Sequence, residues 1–251
     1  MDTHTKAKLH QINQAFYEQF AHSFSATRHQ VQPGVGRVSQ VIPKDAAILD
    51  VGCGNGTLAR RLADQGFSGT YLGVDFSEGL LADARHLLIS PPDGAYAFQS
   101  VDLADSHWPA TLPHQPFDWL VSFAVLHHLP GAELRLQTVK AFRKLIAPDG
   151  LVVVSVWQWH NSPKLRQRVL PWSTVGLDPN ELEEGDVLLD WRAGHTPGLR
   201  YVHTFSEASL TRLAIDGGFT VRDSFYSDGK SGNLALYQVW QIAQESKKPA
   251  R

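Results

Sequence analysis

The feature that most constrains this chain is the stretch ILDVGCGNGTLARRLADQG, in which Gly52, Gly54 and Gly56 occupy alternate positions. The four residues before the glycines are typical of the end of a buried strand, and residues 57–65 have the apolar spacing of a helix. Glycines in such a turn can adopt unusual backbone angles and let a ligand touch the main chain. The helix N-terminus then directs its free N–H groups at that ligand. The stretch therefore predicts the first unit of a nucleotide-binding α/β sheet, rather than a turn that merely needs glycine.

Three acids follow predicted strands and narrow the choice of nucleotide. Asp50 directly precedes the glycines, Asp75 ends the strand TYLGVD, and Asp102 ends a third strand in FQSVDLAD. An acid at the glycine turn would repel a pyrophosphate but would attract the cationic groups of S-adenosylmethionine. An acid about twenty residues after the turn can accept hydrogen bonds from ribose hydroxyls. Asp102 is expected either to accept from an adenine amino group or to cap a turn.

The remaining chain alternates apolar strands with helical segments. FDWLVSFAVLHHL at 117–129 predicts a central strand that leads into a loop, a helix is expected over about 133–146, and LVVVSVW at 151–157 predicts the next strand. FSEASLTRLAIDGGFTVRDSFYS then predicts one more helix and strand, and NLALYQVWQIA a last strand. This order favours a Rossmann-like α/β fold built on a parallel sheet with crossover helices.

Taken together, these motifs resemble those of class I S-adenosylmethionine-dependent methyltransferases over about residues 45–242. The resemblance implies a seven-stranded, mostly parallel sheet with helices on both faces and a reversed last strand. It also implies a cofactor site whose residues fall into four groups. These are Asp50 with Gly52, Gly54 and Gly56 at the methionine end, Asp75 and Phe76 at the ribose, Asp102 and Leu103 at the adenine, and Ser122 and Phe123 beneath the sulfonium. Arg28 is expected either to pair with the methionine carboxylate or to be an exposed charge at a helix end.

A narrower resemblance lies outside that common core. AFYEQFAHSFSATRHQVQPGV, GDVLLDW and LRYVHTFSEASL are similar to segments of the tRNA wobble-uridine methyltransferases, which esterify 5-carboxymethyluridine and in eukaryotes act with a small zinc-binding partner. The matched positions are Asp186, Trp191, Arg200, Tyr201, His203, Phe205, Glu207 and Leu210. The chain departs from the family pattern at Asp190, where the family has proline, and at Ala208-Ser209, where it has Gly-Glu.

The chemistry of methyl transfer suggests roles for the acceptor-side residues. A carboxylate acceptor is already ionised at neutral pH and needs donors to hold it, and Arg200 and His203 are expected to supply them. His127 lies where acceptor-side residues are expected and would be the base for an amine or hydroxyl acceptor; alternatively, it and His128 form a structural pair. The residues expected to bind the substrate are Trp157, Asp186, Trp191 and Tyr201.

Composition leaves two acceptor classes open. The formal net charge of −2 and pI of about 6.6 are unlike those of a free-standing RNA-binding protein, which is usually basic. Basic residues nevertheless cluster with aromatic ones in KLRQRV at 164–169 and RAGHTPGLRYVH at 192–203. We therefore expect a tRNA acceptor, with a small-molecule O- or N-methyltransferase as the alternative.

Other sequence features bear on compartment and organisation. The chain has one cysteine, Cys53, and no cysteine cluster with metal-ligand spacing, so no metal site is expected. The absence of a signal peptide and of a membrane-length apolar run predicts a cytoplasmic protein without a membrane partner. Residues 1–251 are expected to form one domain. In it, residues 1–44 form N-terminal helices over the cofactor, 158–200 form an insertion of little periodicity at the active-site mouth, and 244–251 form a disordered tail.

Overall fold

The computed structural model of the protein describes residues 1–27, 31–88, 95–113, 115–193 and 196–244, and it gives only the backbone at 21–27, 192–193 and 196–197. The strands are β1 (Ala47–Val51), β2 (Thr70–Asp75), β3 (Ala95–Ser100), β4 (Phe117–Phe123), β5 (Ile146–Trp157), β6 (Val169–Leu170), β7 (Asp186–Ala193), β8 (Thr196–His203), β9 (Phe219–Ser227) and β10 (Ala235–Ile242). The helices are α1 (Thr3–Thr27), α2 (Pro33–Ser39), α3 (Thr57–Asp64), α4 (Glu78–Leu87), α5 (Ala132–Leu145), α6 (Pro163–Arg166) and α7 (Glu207–Asp216).

Seven strands form the main sheet in the order β3-β2-β1-β4-β5-β10-β9. The pairs from β3 through β5 are all parallel, whereas β10 is antiparallel to both β5 and β9. The strand order reverses at β1, between β2 and β4, and this is the switch point at which open α/β sheets bind their ligands. The predicted seven-stranded sheet with a reversed last strand is confirmed.

Apolar side chains cover the sheet on both faces, as the crossover helices require. On one face α5 and α7 contribute Phe142 and Leu210 to a core that contains Leu120 and Val152 of the central strands. On the other face α2 and α3 pack against Val121 and its neighbours. The central strands are buried on both sides because both faces carry helices, which explains the continuous apolar runs in their sequence.

The segment at 158–200 has more regular structure than the sequence analysis predicted. Strands β6, β7 and β8 form a separate three-stranded antiparallel sheet, and β7 pairs with β8 from Asp186↔His203 to Ala193↔Thr196. The periodicity is weak because Leu188 and Leu189, adjacent in β7, are both fully buried, so the usual alternation of apolar and polar residues is lost.

Helix α1 lies against this second sheet. Asn13 Oδ1 accepts from the Tyr201 backbone N–H at 2.9 Å, and Asn13 Nδ2 donates to the carbonyl oxygens of Tyr201 and His128. Leu9 and Phe16 are buried on the same side of the helix. The helix is thereby fixed to β8 and to the loop that follows β4.

Among the described residues, no helix is long and apolar enough to cross a membrane. The tail predicted at 244–251 lies outside the described residues except for its first residue.

Candidate active site

The glycine turn joins β1 to α3 in backbone conformations that favour glycine. Gly52, Gly54 and Gly56 have φ angles of 77°, 54° and 70°. A Cβ added at Gly52 would lie 2.2 Å from Val125 Cγ2, so the turn passes directly beneath the loop that follows β4. Gly52 and Gly54 line the cavity described below, whereas Gly56 is the N-cap of α3 and packs against Ala84 of α4. Unlike the other two predicted glycines, Gly56 therefore allows α3 to pack closely against α4.

Asp75 holds this turn from the neighbouring strand. Its Oδ2 accepts from the Gly54 N–H at 2.9 Å, and its Oδ1 accepts from the Ser77 N–H at 3.0 Å. Gly52 and Cys53 both donate their N–H groups to the Val74 carbonyl oxygen. Burial raises the pKa of Asp75, against the effect of the backbone N–H groups that favour its charged form. Asp75 also lines the cavity, so its remaining lone pairs face a site for hydroxyl donors.

Asp50 is a buried acid at the base of the cavity. Burial raises its pKa to about 7, the nearby Asp75 carboxylate acts in the same direction, and a hydrogen bond from the Tyr71 hydroxyl at 2.5 Å opposes the shift. The carboxyl is therefore close to half-ionised at neutral pH. A cationic group entering the cavity would stabilise its charged form.

Asp102 is reached by two side chains of α1. His10 Nε2 lies 3.1 Å from Asp102 Oδ2, and Gln14 Nε2 lies 3.4 Å from the same oxygen. The hydrogen bond from His10 lowers the pKa of Asp102, so the carboxylate is ionised. His10, Gln14, Asp102 and Leu103 all line the cavity, which places α1 over its Asp102 end.

One cavity of about 340 Å³ connects these groups with the loop after β4 and the ends of β5 and β8. At its far end it is lined by His127, Trp157 and Arg200. The Arg200 guanidinium carbon lies 4.9, 4.8 and 4.7 Å from the ring centroids of Phe16, Trp157 and Trp191. A cation surrounded by three aromatic faces is held in place and kept from bulk water, although Arg200 remains part of the cavity wall.

The two histidines of the loop are in different hydrogen-bonding states. The Trp157 N–H donates to His127 Nδ1 at 3.2 Å, so a neutral His127 carries its proton on Nε2. His128 Nδ1 donates to the Tyr201 carbonyl oxygen at 3.1 Å, and its Nε2 accepts from the Tyr17 hydroxyl at 3.0 Å. His128 thus joins α1 to β8, whereas His127 presents a donor nitrogen.

Four of the predicted acceptor residues are not in the cavity lining. Asp186 Oδ1 accepts from the Tyr201 hydroxyl and from His203 Nδ1, both at 2.8 Å, in a buried network beside the Arg135–Glu183 ion pair. Trp191 contacts Arg200 of the cavity wall but does not itself line the cavity. Carboxyl oxygens of Glu183 and Asp186 and a nitrogen of His203 lie within 4.8 Å of one another. Arg135 pairs with Glu183, and the Tyr201 hydroxyl donates to Asp186. Because both carboxylates are engaged within the protein, the network has a structural role.

The remaining predicted residues divide between the cavity and its surroundings. Phe76 and Phe123 line the cavity, and Phe76 packs edge-on against Tyr17. Ser122 is fully buried within β4 and does not reach the cavity. Its inward position follows from the alternation of side chains along the strand. Arg28 lies outside the described residues.

The sequence analysis missed several residues that line the cavity: His10, Asn13, Gln14 and Tyr17 of α1, and Ser155, Asp228, Leu234, Ala235 and Tyr237 at its acceptor end. The α1 residues are spaced three or four apart and so share one helix face, a signal that the sequence did contain. Asp228 follows β9 and is brought to the cavity by the hairpin, which no local pattern indicates.

The comparison with known proteins agrees with this geometry. A family model described as Methyltransferase domain matches residues 23–224. A protein of Encephalitozoon cuniculi named as a methyltransferase is 28% identical over 211 residues, which cover 83% of this chain and 87% of that protein. The tRNA (carboxymethyluridine(34)-5-O)-methyltransferase of Schizosaccharomyces pombe is 25% identical, with 87% of this chain and 91% of that protein covered.

Other relatives are covered less completely. The enzyme with the same tRNA activity from Arabidopsis thaliana is 31% identical over 143 residues, and the match covers 56% of this chain but 31% of that protein. In the corresponding mouse enzyme the match covers 20% of the protein. The match thus spans most of the Schizosaccharomyces pombe and Encephalitozoon cuniculi relatives and a minor part of the Arabidopsis and mouse ones.

Solved structures share the fold. The DhpI–SAM–HEP complex aligns with a TM-score of 0.68 at 18% identity, covering 96% of this chain and 100% of that one. An S-adenosylmethionine-dependent methyltransferase from Methanosarcina mazei aligns with a TM-score of 0.65 at 22% identity, covering 86% of this chain and 100% of that one. The chain therefore belongs to the methyltransferase domain family, and its fold is that of class I S-adenosylmethionine-dependent methyltransferases.

Proposed function

We propose that this methyltransferase transfers the methyl group of S-adenosylmethionine to a carboxylate oxygen of a 5-carboxymethyl group on a tRNA wobble uridine. The observation that carries the proposal is Arg200, a buried guanidinium in an aromatic cage that lines the same cavity as the glycine turn. This arrangement supplies a binding site for an anionic group on the acceptor.

The opposite end of the cavity suits S-adenosylmethionine by its charges. Asp75 offers carboxylate lone pairs to the ribose hydroxyls, and Asp102 offers an acceptor to the adenine amino group. Asp50 offers a buried acid to the positively charged methionine end. Three acids around a glycine turn would repel a pyrophosphate, so they favour this cofactor over a dinucleotide. When bound, S-adenosylmethionine supplies an activated methyl group on a good, neutral leaving group.

The Arg200 cage makes a carboxylate the best-matched acceptor group. Arg200 is about 3% exposed, so its attraction for an anion is little screened by water. Its planar fork matches a carboxylate through two parallel hydrogen bonds. The rings of Phe16, Trp157 and Trp191 fix the orientation of the guanidinium plane, and Trp157 also offers an apolar surface to a base.

His127 is better suited to donate a hydrogen bond than to accept a proton. Its Nδ1 already accepts from the Trp157 backbone, and its Nε2 carries the proton in the neutral ring. A carboxylate acceptor needs such a donor and no base, because it is ionised at neutral pH. An amine or hydroxyl acceptor would need a base, which this tautomer of His127 does not provide.

The protein's contribution to the reaction is then mainly alignment. One carboxylate oxygen attacks the methyl carbon in line with the carbon–sulfur bond, which breaks as the carbon–oxygen bond forms. The products are a methyl ester and S-adenosylhomocysteine, and no proton is transferred. Arg200 and His127 would hold the other carboxylate oxygen so that the attacking one points along the displacement axis.

The relatives support this acceptor and also a second one. The Schizosaccharomyces pombe relative carries the tRNA activity in its name, and the match covers nearly all of both chains. However, a dTDP-3-amino-3,6-dideoxy-alpha-D-glucopyranose N,N-dimethyltransferase from Streptomyces fradiae is 29% identical over 173 residues. A sugar amine is therefore the second candidate acceptor, and the near-neutral net charge of the chain favours it.

None of the relatives reported above is named as acting with a zinc-binding partner, so the proposal concerns this chain alone. A cytoplasmic location fits a tRNA acceptor and stays a prediction.

The proposal can be tested with acceptors that differ only in the carboxylate. Purified protein would be incubated with methyl-labelled S-adenosylmethionine and anticodon stem-loops that carry 5-carboxymethyluridine, 5-methyluridine or uridine at the wobble position. A parallel reaction would contain the amino-sugar nucleotide. We expect label only in the carboxymethylated RNA. Label in the amino sugar and in none of the RNAs would overturn the proposal in favour of the second candidate.

A further inference from the structure

Asp228 is a buried acid at the acceptor end of the cavity, beyond the motifs considered so far. It follows β9, lines the cavity and is about 7% exposed. Its φ angle is 69°, in the left-handed region that non-glycine residues seldom adopt. Such strained conformations persist where the surrounding structure imposes them, and they cluster at ligand sites.

Two donors fix the Asp228 carboxylate in place. The Tyr237 hydroxyl donates to Oδ2 at 2.7 Å, and the Gly34 N–H donates to Oδ1 at 2.8 Å. A Cβ at Gly34 would lie 2.3 Å from the Tyr237 ring, so helix α2 approaches this pair as closely as a backbone can. Each carboxylate oxygen can accept a second hydrogen bond. The carboxylate is thus oriented in advance and retains acceptor capacity.

Asp228 lines the same cavity as Trp157 and Arg200, and main-chain hydrogen bonds tie its turn to the strand of Trp157. The Leu234 N–H donates to the Asp228 carbonyl oxygen, and the Leu234 carbonyl oxygen accepts from Gln158, the residue after Trp157. Ala235 pairs with Trp157 between β10 and β5. Trp157 therefore has the Arg200 guanidinium near its ring, and the turn that carries the Asp228 carboxylate is anchored to the backbone beside it. An acceptor in this cavity would meet both a cation, Arg200, and a carboxylate, Asp228.

We infer that Asp228 is a specificity-determining residue whose carboxylate accepts a hydrogen bond from an N–H group of the acceptor. The inference rests on the proposed function, in which the donor is the imide N3–H of the uracil ring. Uracil has one such donor, whereas its carbonyl oxygens would be repelled by the carboxylate. Arg200 would then select the carboxymethyl substituent, and Asp228 the base that carries it.

A purely structural role for Asp228 makes a different prediction. If Asp228 only caps α2, its loss should loosen that helix and weaken the reaction with every acceptor equally. If it accepts from N3–H, its loss should matter only for acceptors that have this donor. The two roles are separated by an acceptor in which N3 carries a methyl group and no hydrogen.

Two substitutions suit the unusual backbone at this position. D228N keeps the side-chain shape and removes the charge, and asparagine tolerates the left-handed region better than most residues. D228G removes the side chain without backbone strain. The matched control is D223N, which removes an exposed carboxylate from the same hairpin and its ion pair to Arg37 of α2. Calorimetry with S-adenosylhomocysteine and thermal unfolding would establish that each variant is folded.

The experiment measures turnover of two carboxymethylated stem-loops, with and without an N3-methyl group, by the wild type and the three variants. We expect the wild type to prefer the N3–H acceptor by about tenfold to a hundredfold, as is usual when a buried carboxylate loses one hydrogen-bond donor. D228N and D228G should lose most of this preference, and D223N should retain it.

The possible failures are distinct. An undiminished preference in folded D228N and D228G would overturn the inference while leaving the proposed function intact. Equal losses on both acceptors would do the same and would assign Asp228 to the anchoring of α2. No turnover of either stem-loop by the wild type would overturn the proposed function. It would also overturn the inference that Asp228 accepts from the uracil N3–H, which rests on that function.

Discussion

The two halves of the cavity are built in different ways. The cofactor half comes mainly from the ends of β1, β2 and β3, within residues 50–103, with His10 and Gln14 of α1 over Asp102. Asp75 and Asp102 each accept from nearby backbone N–H groups. The acceptor half is assembled from residues between Val31 and Tyr237, which lie on helices, both sheets and the hairpin that ends the chain. Local construction suits a ligand shared by a whole family, whereas long-range construction lets the acceptor vary on a constant fold.

The two halves also differ in charge. The cofactor half presents three acids, Asp50, Asp75 and Asp102, whereas the acceptor half presents the Arg200 cation among aromatic rings together with the Asp228 carboxylate. This difference predicts that substitutions in one half should leave the function of the other largely intact.

The largest effect is expected from Asp75→Ala, in the cofactor half. The variant loses the acceptor of the ribose hydroxyls and the hydrogen bond to Gly54 that holds the turn. Binding of S-adenosylhomocysteine should weaken by about 2–4 kcal/mol, or about thirtyfold to a thousandfold, in calorimetry. Asp64→Ala, which removes an exposed acid of α3, is the control. Unchanged affinity in Asp75→Ala would place the ribose elsewhere.

Arg200→Lys should produce the next largest effect, in the acceptor half. Lysine keeps the charge but loses the planar fork and its stacking on Trp157 and Trp191. Turnover of the carboxymethylated stem-loop should fall by about tenfold to a thousandfold, with S-adenosylhomocysteine affinity unchanged. Arg222→Lys, at an exposed position of β9, should match the wild type. A parallel loss of cofactor affinity would show that the two halves are not separable.

The pH dependence of cofactor binding should depend on Asp50. Its pKa of about 7 means that the carboxyl is largely protonated at pH 6, and a bound ammonium group would favour the charged form. Binding should therefore release a proton, and affinity should rise by up to about fivefold between pH 6 and pH 7 and level off above pH 7. Above about pH 8 the ligand's own amine loses its charge. Calorimetry across this range should show no such rise for Asp50→Asn. A rise of equal size in that variant would assign the proton to another group.

His203→Gln should have the smallest effect on turnover. His203 lies outside the cavity lining and donates to the buried Asp186, which keeps the Tyr201 hydroxyl as a second donor. The free energy of unfolding should fall by about 1–3 kcal/mol, and turnover should fall far less than in Arg200→Lys. His107→Gln removes a similar but exposed His–Asp contact and should change neither quantity. A loss of turnover in a fully stable His203→Gln variant would show that His203 contacts the acceptor.

The difference between the locally built cofactor half and the long-range acceptor half explains which features could be predicted from the sequence. The glycine turn and the acids at the strand ends are set by short segments, so their spacing predicted a parallel sheet with crossover helices. The seven strands, the reversed last strand and the residues of the cofactor half came from the resemblance to class I methyltransferases that these segments carry. The segments that resemble the tRNA methyltransferases pointed to Arg200, which lines the cavity, and also to Asp186, Tyr201 and His203, which do not. A residue that supports a site matches such a segment as readily as a residue that touches a ligand. Asp228 depends on the path of the final hairpin, which no local pattern encodes.

The most direct test of a carboxylate acceptor at Arg200 is the alkaline stability of the transferred methyl group. Label would be transferred to the 5-carboxymethyluridine stem-loop, and the purified RNA would be treated with mild alkali. A methyl ester hydrolyses and releases volatile labelled methanol, whereas a methyl group on nitrogen, carbon or a sugar hydroxyl stays with the nucleoside. We predict that essentially all label becomes volatile. Label that stays with the nucleosides would contradict the account, because Arg200 and His127 would then be holding an acceptor other than a carboxylate.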